Sequence, residues 1–146
     1  MNYDDIEILL AEDSMNDALL TIRGLTNSGL ANKLHHVKDG AEALEFIFGL
    51  GKYSSRNPQK RLKLILLDLK MPKVSGMQVL EKIKSNEEFK SVPVVILTSS
   101  KEDPDIQNCY KLGANSYIVK PVESDNFFQA INQLGMYWMI LSQADI

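Results

Sequence analysis

The chain has 146 residues, 45% hydrophobic and 24% charged, with a net charge of -3; that is enough for one domain with a real core and too little for two ordinary ones. The acidic balance argues against electrostatic binding to nucleic acid, which needs a basic surface. A single cysteine, Cys109, excludes an internal disulfide and a multi-cysteine metal site and fits a reducing cytoplasm, while no signal peptide opens the chain and no apolar run approaches the ~18 residues of a membrane span.

In chain order, Ile6 to Ala11 is a first apolar run that ends in Glu12 and Asp13. Ser14 then opens a helix, with Asp17 in capping-box position and Met15, Ala18, Leu19, Ile22 and Leu25 on one face, until Gly29 stops it. Lys33 to Lys38 reads as a partly polar edge strand. Its two histidines, His35 and His36, point to opposite faces and so make no chelating pair. Asp39 caps a second helix with Glu42 at the matching position and Ala43, Leu44, Ile47 and Phe48 turned inward. Gly49 to Lys63 is the one long irregular stretch, carrying Lys52, Arg56, Lys60, Arg61 and Lys63. It is either a solvated basic loop or a docking element for an acidic partner.

Leu64-Ile65-Leu66-Leu67 then runs into Asp68, a short apolar run bounded by a turn signal at Pro72, as expected of a strand buried on both faces. Ser75, with Gln78 three positions on, starts a helix with Met77, Leu80 and Ile83 on one face. Val92 to Leu97 is a further buried strand ending in Thr98, Ser99 and Ser100. Asp103-Pro104 opens a helix that presents Ile106, Cys109, Tyr110 and Leu112 and stops at Gly113. Ser116 to Val119 is a short last strand before Lys120-Pro121. The final helix, from Ser124, spaces Phe127, Ile131, Leu134, Trp138 and Leu141 along one stripe. Tyr137, Met139 and Ile140 add apolar surface beyond it, so this helix either joins two copies of the chain or closes its own core around Trp138.

Five strands alternating with five helices imply right-handed crossovers and a parallel α/β sheet covered on both faces. Four strands end in polar groups, and in such a sheet the carboxyl ends share the edge where ligands bind. If the first and third strands are neighbours, Glu12, Asp13 and Asp68 converge. Three close carboxylates stay ionised only with a cation among them, and an all-oxygen set suits Mg²⁺ or Mn²⁺. Phosphoryl transfer needs a nucleophile, a metal and charge neutralisation. Asp68 is the candidate nucleophile, forming an acyl phosphate. Glu12 and Asp13 are the candidate metal ligands, Thr98 a hydrogen-bond donor to a phosphoryl oxygen, and Lys120 a point positive charge. Pro121 would hold Lys120 through a cis bond, which spacing alone leaves open.

These residues resemble the receiver domain of two-component response regulators, over Ile6 to about Leu141. The resemblance is carried by Glu12-Asp13, Asp68 with Pro72 and Gly76, Thr98, Tyr117 and Lys120-Pro121. Asp68 to Thr98 is 30 residues and Thr98 to Lys120 is 22, as in the chemotaxis receiver. It implies a doubly wound, flavodoxin-like five-stranded sheet of order 2-1-3-4-5. It also implies a histidine kinase that phosphorylates Asp68, and Mg²⁺ held by Glu12, Asp13, Asp68 and the backbone carbonyl of Lys70. Thr98 and Tyr117 would act as the switch, changing the surface of the fourth helix, last strand and last helix. Lys70 and Ser100 stand where the family tunes phosphoryl lifetime. No output domain is expected after the last helix, so residues 1–146 read as a single receiver domain in the cytoplasm, with no nucleic acid or membrane partner. The long loop and the aromatic final helix are similar to the stand-alone regulators paired with bacterial phytochrome kinases, and suggest a homodimer through that helix. Two rivals share the fold: an aspartyl-nucleophile phosphatase, which usually carries a second acid where Lys70 stands, and an adaptor that is never phosphorylated.

Overall fold

The computed structural model describes residues 3–26, 33–60 and 62–134. Among these, five strands, β1 (Ile8–Ala11), β2 (Leu34–Val37), β3 (Leu64–Asp68), β4 (Val94–Thr98) and β5 (Ser116–Val119), form one sheet in the order β2-β1-β3-β4-β5. Every neighbouring pair is parallel. The helices α1 (Met15–Thr26), α2 (Gly40–Phe48), α3 (Gly76–Lys84), α4 (Asp105–Lys111) and α5 (Ser124–Gln133) alternate with them.

Alternation along the strands sorts the core into two layers. Leu9, Ile65, Leu67, Val94 and Ile96 face α2, α3 and α4, meeting Phe46, Ile47, Val79, Leu80, Ile83 and Cys109. Ile8, Leu10, Leu64, Leu66, Val95 and Leu97 face α1 and α5, meeting Ala18, Leu25, Phe127, Ala130 and Ile131. The strand β3 is buried along its whole length. At about 1.5–3 kcal/mol for each fully buried Leu or Ile, its four aliphatics fix the centre of the sheet.

Three of the expected caps hold, while on α4 the cap position falls on Pro104, one residue past Asp103, and makes no side-chain cap bond. Ser75 and Gln78 form a reciprocal capping box on α3. Asp39 accepts from the Glu42 backbone N–H at 2.7 Å. Ser14 Oγ accepts from the Asp17 N–H at 3.2 Å, but Ser14 N–H donates to Glu12 Oε2 at 3.1 Å, which leaves the Asp17 carboxylate free to turn elsewhere.

Several inward faces differ from the periodicity reading. On α1 the buried positions are Ala18, Thr21 and Leu25, whereas Met15 and Leu19 are 61% and 52% exposed. Thr21 tolerates burial because its hydroxyl donates to the Asp17 carbonyl at 2.9 Å. On α2 the deepest residues are Ala43, Phe46 and Ile47, with Leu44 and Phe48 only half-buried. Trp138, Leu141, Gly29 and the proposed dimer surface lie outside the described residues.

The stretch between α2 and β3 is largely exposed, as a solvated loop would be, but it is anchored to the core at a few residues. It includes a 3-10 turn, Gly51–Tyr53, that buries Tyr53. Arg56 is also buried, stacked over Phe46 at 4.6 Å, and donates to the carbonyls of Phe46 (2.8 Å), Ile47 (3.1 Å) and Lys60 (3.1 Å). Its guanidinium satisfies carbonyls at the end of α2 that have no partner within the helix. The docking role does not fit Arg56, which faces the core.

Candidate functional site

The site is built by strand ends. Register pairs Ala11 with Leu67 and Asp68 with Leu97, so β1, β3 and β4 finish together at one edge. Beyond β5, the Lys120 N–H donates to the Thr98 carbonyl at 2.8 Å, which continues the ladder and brings Lys120 to the same edge. The Lys120–Pro121 peptide bond is cis. A cleft of about 180 Å³ opens there, lined among others by Glu12, Asp13, Asp17, Asp68, Thr98 and Lys120.

The acids converge. One carboxylate oxygen from each of Glu12, Asp13 and Asp68 lies within 4.8 Å of the others. Glu12 and Asp68 are buried and Asp13 is exposed. The Lys120 ammonium sits 2.9 Å from Glu12 Oε1, 3.1 Å from Asp17 Oδ2 and 3.5 Å from Asp68 Oδ1.

Burial and the neighbouring Glu12 push the Asp68 carboxyl well above the usual carboxylate range, against the opposing pull of Lys120 and the Lys70 backbone N–H. Burial disfavours the Lys120 ammonium, but its bonds to Glu12 and Asp17 and the Asp68 charge hold its pKa above the ordinary lysine value. An all-oxygen trio of carboxylates in which one member resists ionisation fits a hard divalent cation, which would supply the positive charge the trio lacks.

A tight approach keeps the β3–α3 connection closed. The Gly76 N–H donates to the Leu69 carbonyl at 2.9 Å. A Cβ on Gly76 would run into the Asp68 carbonyl oxygen and lie 2.7 Å from Leu69 Cα. Lys70 is exposed on the cleft wall, with its N–H toward the Asp68 carboxylate.

Thr98 lines the cleft, but its hydroxyl is turned to the β4–α4 loop, where it donates to the Ser100 carbonyl at 3.1 Å and lies 3.5 Å from Asp103 Oδ2. Tyr117 is half-buried on the α4 side, its ring 6.4 Å from that of Tyr110.

Two residues were missed. Asp17, read as a cap, binds Lys120; the signal was an extra acid one helical turn after Asp13. His36 Nε2 donates to the Glu12 backbone carbonyl at 2.7 Å, and nothing in the local pattern pointed to that contact. His35 packs away from the site, stacked on Phe46 at 4.7 Å and bonded to the Tyr53 hydroxyl.

An open parallel sheet whose carboxyl edge carries an acidic cleft, with one lysine ammonium bound among the acids, is the architecture of a signalling receiver. The family model of the response regulator receiver domain matches residues 8–132, and the chain belongs to that family, the receivers of two-component systems. Among its relatives, the response regulator Rcp1 of Synechocystis is 36% identical over 132 residues, 90% of this chain and 88% of that protein. The probable methanogenesis regulatory protein FilR2 of Methanothrix harundinacea is 32% identical over 136 residues, 93% of this chain and 85% of that protein. The solved structure of the bacteriophytochrome response regulator AtBRR superposes with a TM-score of 0.82 at 44% identity, covering 90% of this chain and 93% of that one. The Mn²⁺-bound form of Rcp1 gives a TM-score of 0.70 at 35% identity over 90% of this chain and 92% of that one. Receivers are signalling domains and not classical enzymes, and the family binds a divalent metal. No described helix is long and apolar enough to cross a membrane.

Proposed function

We propose that this receiver accepts a phosphoryl group on Asp68 from the phosphohistidine of a histidine kinase. A carboxylate oxygen of Asp68 attacks phosphorus, the P–N bond breaks, an acyl phosphate forms, and the imidazole leaves carrying the electron pair of that bond and takes up a proton. The observation that carries this reading is Lys120, 3.5 Å from Asp68 Oδ1 in a cleft it shares with Glu12 and Asp13. The half-buried ammonium is placed to offset the charge that arrives with the phosphoryl oxygens.

Glu12, Asp13 and Asp68, with the Lys70 carbonyl, would hold Mg²⁺ or Mn²⁺, which supplies charge neutralisation when bound. The Thr98 hydroxyl turns from the Ser100 carbonyl to a phosphoryl oxygen, Tyr117 follows inward, and the face of α4, β5 and α5 changes. Hydrolysis of the acyl phosphate by the domain itself ends the signal.

The donor docks on α1. Met15, Leu19 and Leu20 leave an exposed apolar strip on that helix, whose first turn borders the cleft. The likeness to AtBRR supports a phytochrome-type kinase and a cytoplasmic domain that acts by contact. A homodimer through the last helix rests on Tyr137, Trp138, Met139 and Ile140; equal sedimentation of wild type and Trp138→Ala as monomers would remove it.

Incubation with acetyl phosphate and Mg²⁺ tests the whole reading by mass. A lasting gain of one phosphoryl group, absent in Asp68→Asn, supports the receiver. Rapid turnover of the donor with no lasting gain supports a phosphatase, against which Lys70 already counts, and no reaction at all supports the adaptor.

A further inference from the structure

Lys120 is held by more acid than the phosphoacceptor reading uses. Of its three carboxylate neighbours, Asp68 receives the phosphoryl group and Glu12 belongs to the oxygen trio suited to a divalent ion. Asp17 does neither. It comes from the first turn of α1 instead of a strand end, and it stands outside the trio. Its backbone is anchored at both ends, the N–H on Ser14 Oγ and the carbonyl on the Thr21 hydroxyl, so its side chain projects toward the cleft from a fixed point.

We propose that Asp17 is a positioning residue for Lys120: it holds the ammonium at the rim of the cleft and competes with the phosphoryl oxygens for it, an inference that rests on Asp68 being the phosphoacceptor. An ammonium has three N–H donors. Here they face three carboxylates, the nearest two being Glu12 at 2.9 Å and Asp17 at 3.1 Å, while Asp68 is farther, at 3.5 Å. With Glu12 and Asp68 engaged by an ion, Asp17 is the anion left to Lys120.

The Asp17 side chain is 39% exposed and that of Glu12 is 0%, so water screens the Asp17 pair more and makes it the easier one to release. A phosphoryl group on Asp68 therefore draws Lys120 inward by breaking its weaker hold. The same carboxylate adds negative charge to the path of an anionic donor. Removing that charge while keeping the side-chain shape strengthens binding of a phosphoryl group.

The test uses the full chain as wild type, Asp17→Asn and Asp17→Glu. Fluoroberyllate, a non-covalent mimic of a phosphoryl group on a carboxylate, is titrated in saturating Mg²⁺ and followed by fluorine NMR. Asp17→Asn is expected to bind it roughly 3–5-fold more tightly, the scale of one half-exposed ion pair. Asp17→Glu is expected to match wild type, and Mg²⁺ affinity measured by calorimetry is expected to be unchanged in both. In metal-free protein, the Lys120 ammonium should exchange its protons with water faster in Asp17→Asn and at the wild-type rate in Asp17→Glu, a readout independent of phosphoryl chemistry. Unchanged fluoroberyllate binding and unchanged exchange in Asp17→Asn would overturn the assignment, as would a loss of Mg²⁺ affinity. If wild type takes up neither fluoroberyllate nor a phosphoryl group from acetyl phosphate, the phosphoacceptor reading falls and this inference with it. If wild type binds normally and only the Asp17→Asn effect is missing, the Asp17 role alone is wrong.

Discussion

The Thr98 hydroxyl donates to the backbone carbonyl of Ser100 at 3.1 Å. The Ser100 N–H donates back to the Thr98 hydroxyl oxygen at 3.3 Å, so the proposed switch residue is tied to its own loop and not to Asp68. Thr98→Val keeps the volume and removes the hydroxyl. It should cost about 1 kcal/mol in chemical denaturation, because the Ser100 carbonyl and N–H lose a partner. Asp68 should still be labelled by acetyl phosphate, but amide shifts at Ser100 to Asp105 on adding fluoroberyllate should shrink. Full-sized shifts in Thr98→Val would remove Thr98 from the switch.

Metal and acid are coupled at Asp68. Its carboxyl is held above the ordinary range by burial and Glu12, so its ionised form destabilises the metal-free fold at neutral pH. Asp68→Asn in EDTA should therefore be more stable than wild type by about 1 kcal/mol or more. Mg²⁺ at ten times its Kd should stabilise wild type by about 1.4 kcal/mol and the variant far less. Thermal unfolding with and without Mg²⁺ reads both effects, and an equal Mg²⁺ gain in the two proteins would place the ion elsewhere.

Gly76 leaves no space for a side chain against the Asp68 and Leu69 backbone. Gly76→Ala should lose on the order of 1–3 kcal/mol in urea unfolding, since the neighbour that must yield is backbone. A neutral substitution would mean that the β3–α3 loop relaxes freely.

Glu42 carries the pH dependence away from the cleft. Burial opposes its ionisation, but bonds from Lys52, Tyr53 and the Lys38 N–H outweigh that and hold it down to about 2 from an ordinary 4.5. The folded value lies below the unfolded one, so the stabilisation is present above about 4.5 and is lost as pH falls toward about 2. Glu42→Gln should cost on the order of 1–2 kcal/mol at pH 7 and little near pH 2. Parallel stability curves across that window would contradict the assignment.

Lys70 stands exposed on the cleft wall beside the proposed acyl phosphate. Its long side chain would hinder the attacking water, so Lys70→Asn should shorten the phosphoryl lifetime roughly tenfold, about 1.4 kcal/mol of barrier. Equal dephosphorylation rates would end that idea.

The parts legible in the sequence were those set by short-range rules. The apolar run into Asp68, the Ser75–Gln78 cap and the strand-ending acids each carried a local signature that the fold kept. The sheet order came through the resemblance, because strand neighbours are not written in any one segment. Counting apolar residues misled on α1, since Thr21 buries a hydroxyl satisfied by its own helix while Met15 and Leu19 face outward. Arg56 looked like surface charge, yet its guanidinium is spent on the final carbonyls of α2. Asp17 and His36 escaped notice because their partners, Lys120 and the Glu12 carbonyl, are 103 and 24 residues away.

Lys120 is the last of the cleft residues to be made, and it follows β5, which among the described residues is an edge strand paired with β4 alone. A chain leaving the ribosome therefore exposes Glu12, Asp13 and Asp68 before the ammonium that balances them exists. Until the final strand docks, the nascent polypeptide carries these acids without the ammonium that binds Glu12 and Asp68 in the finished sheet.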